Sequence, residues 1–383
     1  MVVGKVWGPL LALCAIAGVA DAADAFKPES VTVEARIKPG PNLLVLDQGW
    51  SGASRLTTLS ADDLSNKGSV SMGLEAQYTV SKDKRTAYGM SVYAKRIMWG
   101  PEEVVLEEFD LATQTVRREI ALSEKSVHGG AQANMLALSD DEQFILVQNA
   151  TPATSVSVVD LKAGKVIDEV PTPGCFGVYA APSGHRFSTL CGDGTLASYE
   201  YTAAGQHSAP VRSAKFFDTD TDPVYPTALR AGSSWLFLSF NGNVLRVSDA
   251  ASKAVLESRF ALATGVAGNW APGGVQLMAY SPQHQVLFVA MHPDAREGSH
   301  KDAAKEVWAV DLKRQKVLYR SVVEPVKSLV LLDQESPLLF GLNETGLLYR
   351  YEVDPEAKFA LKPTHKVSNA GQFTVLGSAG GAL

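Results

Sequence analysis

The sequence lacks the short signatures of the common hydrolytic and nucleotide-dependent enzymes. It contains no Gly-x-Ser-x-Gly elbow, no Walker-type glycine loop and no His-Glu-x-x-His pair, which argues against an α/β-hydrolase, a P-loop nucleotidase and a zinc peptidase. Only three cysteines and seven histidines occur in 383 residues. No segment sustains a 3.6-residue apolar period over several turns, so we expect helices to be peripheral or absent.

The charge balance and the composition narrow the class of protein further. The formal net charge of −6 argues against nucleic acid as a partner. Hydrophobic residues make up 46% of the chain and charged residues 20%, which is typical of a globular protein with a large core.

A short phrase recurs along the chain: an apolar run, an aspartate, a polar turn and another apolar run. Its marker positions are Asp62, Asp110, Asp160, Tyr201 in the one copy without aspartate, Asp249, Asp311 and Asp354. The differences between successive positions are 48, 50, 41, 48, 62 and 43 residues. This period is typical of propeller blades, so the sequence predicts an all-β, seven-bladed β-propeller over residues 42–376.

The ends of the propeller must meet to close the ring. The strand-like segment at residues 42–47 has no partner nearby, and we expect it to complete the last blade beside residues 347–351, which would cover two sheet edges. Residues 23–41 are interpreted as an N-terminal extension and residues 377–383 as a flexible tail.

Residues 1–22 have the pattern of a secretory signal peptide. Lys5 precedes an apolar run at residues 10–20, and Ala20-Asp21-Ala22 fits a small-x-small cleavage site. Residues 23–25 offer a second such site, which leaves the mature start open by about three residues. The run is shorter than the roughly 20 residues that a membrane anchor requires, so we expect cleavage near Ala22 and an exported chain without a membrane anchor.

Export would leave Cys175 and Cys191 as the cysteines of the mature protein. Two cysteines in an oxidising compartment usually pair, so we expect a structural disulfide between neighbouring strands. A zinc or redox site is the weaker interpretation, because there is no Cys-x-x-Cys motif and no clustered histidine.

The histidines leave two alternatives open. His292 and His300, with Asp294 and Glu297 between them, could form a metal site, but the polar context favours a hydrogen-bonded surface loop. His128, before two glycines, is better interpreted as part of a turn than of an oxyanion loop. The longest repeat carries insertions at about 261–273 and 291–305, which we expect to form loops suited to binding.

Several long blocks resemble the heavy subunit of the tryptophan tryptophylquinone amine dehydrogenases. They look closer to the aromatic amine dehydrogenase branch than to methylamine dehydrogenase. The blocks run in order through about 45 to 375, at residues 147–156, 159–160, 174–175, 189–194, 269–274, 291–294, 297–298 and 300–301.

The resemblance implies a periplasmic propeller subunit without catalytic residues, metal or cofactor of its own. Two heavy and two small subunits would form the complex, and the small subunit would carry the tryptophan tryptophylquinone. The implied reaction is oxidative deamination of a primary amine, with electrons passing to a blue copper protein.

The resemblance also singles out Leu74, which stands where members of the family carry a phenylalanine beside the substrate channel. An isolated leucine is most often simply buried, so ordinary core packing is the alternative role of Leu74. Residues 99–102, Trp-Gly-Pro-Glu, are a second departure from the family pattern, because relatives have a basic stretch there after a similar Tyr93-x-x-Arg96.

Two other functions are the alternatives: a free-standing exported propeller that binds another protein, and a lactonase-type hydrolase with acidic or histidine ligands in the central tunnel.

Overall fold

The computed structural model describes Gly4, residues 34–371 except 98, 128 and 369, and the backbone of residues 374–380. The predicted signal peptide, apart from Gly4, and residues 23–33 of the predicted extension lie outside these ranges. The compact unit that carries the strands is residues 36–383; the first 35 residues form a separate unit in which no strand or helix is described.

The strands form seven antiparallel sheets, which confirms the predicted seven-bladed β-propeller. Within the described ranges the one helix is a 3-10 turn, Ser299–Lys301, and no helix is long and apolar enough to cross a membrane. In chain order, the strands are β1 (Asn42–Asp47), β2 (Ser54–Ser60), β3 (Asn66–Met72), β4 (Leu74–Val80), β5 (Thr86–Ala94), β6 (Glu102–Asp110), β7 (Thr115–Ala121), β8 (Leu136–Leu138), β9 (Phe144–Asn149), β10 (Ser155–Asp160), β11 (Lys165–Pro171), β12 (Cys175–Ala180), β13 (Arg186–Cys191), β14 (Leu196–Thr202), β15 (Gln206–His207), β16 (Val211–Arg212), β17 (Leu229–Ala231), β18 (Ser234–Leu238), β19 (Asn243–Ser248), β20 (Val255–Ala261), β21 (Ala271–Pro272), β22 (Met278–Ser281), β23 (Val286–His292), β24 (Ala304–Asp311), β25 (Lys316–Val326), β26 (Ser328–Leu332), β27 (Leu338–Leu342), β28 (Leu348–Asp354), β29 (Ala360–Val367) and β30 (Thr374–Gly380).

Each blade is a meander of strands that are consecutive in the chain, except the first. Blade one contains β30 and β1–β3, and blades two to seven contain β4–β7, β8–β11, β12–β16, β17–β20, β21–β25 and β26–β29. The first strands of neighbouring blades contact one another: β4 contacts β8, and β8 contacts β12. These first strands therefore surround the central axis.

Apolar side chains pack between neighbouring blades. Phe144 of blade three, for example, lies in one cluster with Phe187 and Tyr201 of blade four, and the rings of Phe144 and Tyr201 meet edge to face at 5.6 Å. A central strand such as β9 is buried along its whole length, whereas the outer strand β11 is mostly half-buried and has a single buried residue. The core is therefore a ring of inter-blade contacts around the axis.

The ring closes differently from the sequence-based prediction. β1 pairs with β2 and with the C-terminal strand β30, with Leu43 opposite Ala379. Both edges of β28 are already occupied by β27 and β29, so the prediction that residues 42–47 lie beside residues 347–351 is wrong. β30 is the innermost strand of blade one and continues to Gly380, four residues beyond the expected end of the propeller at 376.

The propeller has two unlike faces. The hairpins between the first and second and between the third and fourth strands of each blade form one face, called here the hairpin face. The hairpins between the second and third strands, together with the connections from blade to blade, form the opposite face, called here the connection face. This division follows from the antiparallel meander, in which successive turns alternate between the two ends of the strands.

The recurring aspartates cap turns on the hairpin face. The Oδ1 atom of Asp110 accepts hydrogen bonds from the backbone N–H groups of Ala112 and Thr113, at 2.8 and 3.0 Å. Asp311 and Asp354 hold their turns in the same way. A short side chain that bonds the backbone two and three residues on is the usual device of a tight turn, so the repeat in the sequence has a structural cause.

The expected disulfide is present in blade four. Cys175, the first residue of β12, lies opposite Cys191, the last residue of β13, and their sulfur atoms are 2.02 Å apart. Both residues are buried. The bridge therefore joins the first two strands of this blade at the connection face.

Candidate functional site

Leu74 is the first residue of β4, where the innermost strand of blade two leaves the connection face. Its Cα lies opposite that of Val92 on β5. The side chain is half-buried and packs against the apolar cluster shared by blades two and three, which includes Met90 and Leu136. It therefore combines core packing with an accessible part.

The backbone around Leu74 is held by close contacts. The N–H of Gly73 donates to Ser91 Oγ at 2.9 Å, and a Cβ at position 73 would lie 2.4 Å from the carbonyl oxygen of Val92. Glu75 has a positive φ of 52° and donates its N–H to the carbonyl of Gly49 at 2.8 Å. Only glycine fits at position 73, and this fixes the direction in which β4 begins.

Two buried glutamine side chains clamp the connection between β7 and β8 onto blades one and two. Gln48 Nε2 donates to the Gly129 carbonyl at 2.9 Å, and its Oε1 accepts from the N–H of Ala131 at 3.0 Å. Gln77 repeats this pattern with Gly129 and Gln132. His128, before this glycine pair, lies outside the described residues.

Glu107 is a buried carboxylate, linked through Ser91 to the backbone of Gly73, that the sequence-based reasoning missed. Tyr93 Oη donates to its Oε1 at 2.8 Å, and Ser91 Oγ to its Oε2 at 3.3 Å. Burial raises the pKa of Glu107, and burial beside this carboxylate raises the pKa of Tyr93 to about 12. The sequence did contain a signal for it: Glu107 alternates with Val105 and Phe109, so all three side chains point to the same face of the strand.

Large apolar side chains are exposed around this part of the connection face. Trp50 follows Gly49, Tyr93 follows Val92, and Ile97 and Trp99 lie in the turn after β5. The Arg96 guanidinium stacks over the Trp99 ring at 3.9 Å. Together with Leu74 they form the surface called here the aromatic rim: Trp50, Leu74, Tyr93, Ile97 and Trp99.

Ile97 is unusual within the aromatic rim because its backbone is strained. It adopts a φ of +67° and is 79% exposed. A β-branched residue in the left-handed region is a clear outlier, and such strain is concentrated at functional sites. The residues that the structure describes leave most of this side chain exposed, so they bury little of it that could compensate for the strain.

The two predicted insertions lie on the connection face of blade six and contact each other. Asn269 and Ala295 exchange two hydrogen bonds, from Asn269 Nδ2 to the Ala295 carbonyl and from the Ala295 N–H to the Asn269 carbonyl. Two blocks of the family resemblance, at 269–274 and 291–294, also pair directly, with Ala271 opposite His292.

The histidines of this region do not converge. His292 is buried, and its Nε2 has no hydrogen-bond partner among the described residues, whereas the ring of His300 stacks on Phe240 at 4.4 Å. Burial lowers the pKa of His292. No group of three or more His, Cys, Asp or Glu side chains able to hold a metal ion occurs in the described part of the chain.

The family model of the methylamine dehydrogenase heavy chain matches residues 46–374. The methylamine dehydrogenase heavy chain of Methylobacillus flagellatus is 23% identical over 289 residues, which cover 74% of this chain and 72% of that protein. The heavy chain of Methylorubrum extorquens is 24% identical over 351 residues, which cover 89% and 83%.

Solved propellers resemble the chain in fold. Dihydro-heme d1 dehydrogenase NirN superposes with a TM-score of 0.55 at 18% identity, over 89% of this chain and 66% of that protein. A protein of unknown function from Desulfotomaculum acetoxidans gives a TM-score of 0.60 at 12% identity, over 88% and 99%. At these identities the likeness supports the propeller fold alone.

Proposed function

We propose a function for this chain, which belongs to the methylamine dehydrogenase heavy chain family. The chain is proposed to be the non-catalytic heavy subunit of an exported quinoprotein amine dehydrogenase. The observation that carries the proposal is the length of the family match, because residues 46–374 include nearly the whole propeller. In this proposal two heavy chains assemble with two small subunits in the periplasm, and each small subunit holds the tryptophan tryptophylquinone.

The aromatic rim is the proposed docking surface for the small subunit. Exposed tryptophan and tyrosine side chains are enriched where proteins associate. The strained and exposed Ile97 supports the same assignment, since a partner that covers its side chain would offset the cost of its backbone conformation.

Leu74 is the proposed contribution of this chain to the amine channel. It lies within the aromatic rim and presents an apolar side chain. The position of this side chain is fixed by the close backbone contact at Gly73 and by packing against the apolar cluster that includes Met90. A quinone held by the partner would supply the oxidising chemistry for the amine, and a blue copper protein would receive the electrons. The residues of this chain would orient the amine and keep water away from it.

The finer assignment to the aromatic amine branch stays a prediction, because Leu74 replaces the aromatic ring expected there. The two alternatives, a free-standing protein-binding propeller and a lactonase-type hydrolase, predict a chain that functions without a small subunit.

Co-expression tests the proposal. The full chain should be produced with and without a small quinone-bearing subunit of this family. Each preparation should be assayed for the visible quinone spectrum and for oxidation of methylamine and of 2-phenylethylamine. We expect both signals only from the co-purified complex. Amine turnover by the isolated chain, or failure of the two chains to associate, would contradict the proposal.

The docking surface has a matched control within the chain. Ile97→Asn removes an apolar contact of the aromatic rim, and Val322→Asn alters an equally exposed apolar residue (82%) on the outer strand of blade six. We expect Ile97→Asn to weaken assembly at least tenfold in an analytical ultracentrifugation titration, and Val322→Asn to leave it unchanged. Equal effects of the two substitutions would remove the aromatic rim as the docking surface.

A further inference from the structure

A groove of about 540 Å³ lies between the outer strand β25 of blade six and the two outermost strands of blade seven, β28 and β29. This volume is within the range of small-molecule sites. Its deepest lining residues are Val323 and Tyr349, each 8% exposed, and Tyr351, which is 2% exposed. The groove therefore offers an apolar group an aromatic surface on which to pack.

The wall of the groove on blade six is shaped by a bulge in β25. Val322 pairs with Glu306 and Val326 with Ala304, so β25 advances by four residues where its neighbour β24 advances by two. Bulges of this kind redirect side chains and are common beside binding sites. Glu324 lies in the middle of the bulge, is exposed and lines the groove. The irregular strand therefore places a carboxylate at the edge of the groove.

The opposite wall of the groove, on blade seven, carries a positive charge. Lys366 of β29 lies opposite Tyr349 of β28 in the antiparallel register, so the two side chains share one face of the blade. Lys366 is exposed and lines the groove, as does its neighbour His365. The groove therefore has a carboxylate on one wall, an ammonium group on the other and a tyrosine at its floor.

The two charges that line the groove differ from others nearby in having no partner among the described residues. On the same strand β25, Arg320 binds both carboxylate oxygens of Glu306, at 2.7 and 3.1 Å. Within the described ranges, by contrast, neither Glu324 nor Lys366 takes part in an ion pair. Burial and then the nearby charge of Glu324 raise the pKa of Tyr349, so this carboxylate is close to the floor of the groove. Both charges are therefore available to a ligand.

We propose that this groove is a binding site for a small zwitterion with an apolar side chain, of the chemical class of the aromatic α-amino acids. The ammonium group of the ligand binds Glu324, its carboxylate binds Lys366, and its side chain packs on Tyr349. A ligand with a single charge leaves one of these two groups without a partner and brings its own charge near a like charge on the other wall. The groove lies on blades six and seven and the aromatic rim on blades one and two, so this binding does not depend on the proposed small subunit.

Three probes that differ only in their charged groups test the proposal: L-phenylalanine, 2-phenylethylamine, which lacks the carboxylate, and 3-phenylpropanoate, which lacks the ammonium group. Binding to the full chain should be measured by isothermal titration calorimetry and by saturation-transfer NMR. We expect saturable binding of L-phenylalanine, and binding at least tenfold weaker for each singly charged probe. Silence of all three probes would overturn the proposal, as would a singly charged probe that binds as tightly as L-phenylalanine.

Two variants locate the site by removing one charge each. In Glu324→Gln we expect L-phenylalanine to lose its advantage over 3-phenylpropanoate, because the partner of the ammonium group is absent. In Lys366→Gln we expect it to lose its advantage over 2-phenylethylamine, because the partner of the carboxylate is absent. Both residues are exposed, so Tm should be nearly unchanged in both variants.

Glu335→Gln is the matched control. Glu335 is exposed in the turn between β26 and β27 of the same blade and does not line the groove, so its substitution should leave all three affinities unchanged. The proposal is wrong if either lining variant keeps the wild-type order of affinities, or if Glu335→Gln has the same effect as Glu324→Gln.

Discussion

The hairpin face and the connection face of the propeller hold their turns by different means. On the hairpin face, short side chains cap tight turns, as Asp311 and Asp354 do at 2.8 to 3.1 Å. On the connection face, glutamine clamps, a close-packed glycine and long loop contacts replace those caps, and aromatic side chains are exposed. Short side-chain caps therefore hold the hairpin face, whereas the connection face carries the exposed side chains at which the docking of the small subunit is proposed.

The largest effect is expected from the buried ion pair at the hairpin face of blade five. Asp249 is 3% exposed at its side chain and binds Arg230 and Trp235 Nε1. Asp249→Ala leaves the guanidinium without its carboxylate, and we expect a loss of about 3–5 kcal/mol in the free energy of unfolding, measured by urea denaturation. Asp354→Ala, which removes only an exposed turn cap, should cost about 1 kcal/mol or less.

The comparison of the two faces fails if Asp249→Ala also weakens small-subunit assembly in a folded sample at low temperature. A hairpin-face substitution should change stability and leave assembly intact.

The second effect concerns the disulfide of blade four. Cys175→Ala with Cys191→Ala opens a loop with a sequence separation of 16, and we expect a loss of about 3 kcal/mol in the chain-entropy description. Mass spectrometry of the unreduced protein should find no free thiol. Alkylation of both cysteines without reductant would contradict the bridge as a feature of the mature protein.

The third effect is a change in substrate preference, expected from a substitution of Leu74 on the connection face. Leu74→Phe in the assembled complex adds a flat ring to the proposed channel wall, and we expect the ratio of kcat/KM between methylamine and 2-phenylethylamine to shift by the equivalent of about 1–3 kcal/mol. The quinone spectrum and assembly should remain intact.

Leu136→Phe is the matched control, because Leu136 begins the innermost strand of the next blade and lies in the same cluster but is fully buried. It should lower stability by about 1–3 kcal/mol through overpacking and leave the ratio unchanged. If Leu74→Phe behaves in the same way, Leu74 is a core residue.

The smallest effect is a pH dependence at Glu107. Burial raises the folded-state pKa of this carboxyl above its ordinary value of 4.5, so its contribution to stability is greatest below that value and is lost as pH rises through the folded pKa. Glu107→Gln lacks this titration and still accepts the Tyr93 hydrogen bond. We therefore expect the Tm of Glu107→Gln relative to wild type to increase as pH rises above about 4.5. A constant difference would show that Glu107 does not titrate in the folded protein.

The repeat in the sequence predicted the blades because each turn is local: Asp110 and the backbone groups that it caps are three residues apart at most. The disulfide was also predictable, since few cysteines were available to pair. The closure of the ring was not, because β1 can pair with any free strand edge and the choice of β30 depends on which edges the other blades leave open.

The site was less predictable for the same reason. Leu74 was found by resemblance, but Glu107, Gln48 and Gln77 act through contacts that join residues from 14 to 83 positions apart.

The pairing of β1 with β30 also governs the order of events during folding. Asp47 cannot meet Thr374 until the last residues of the chain are available, so blade one exists as three strands while the other six blades can already form. Contacts between such distant segments form slowly, because the intervening chain must first be organised. We therefore expect closure of the ring to be a late and rate-limiting step, during which the unpaired edge of β1 is the segment most exposed to aggregation.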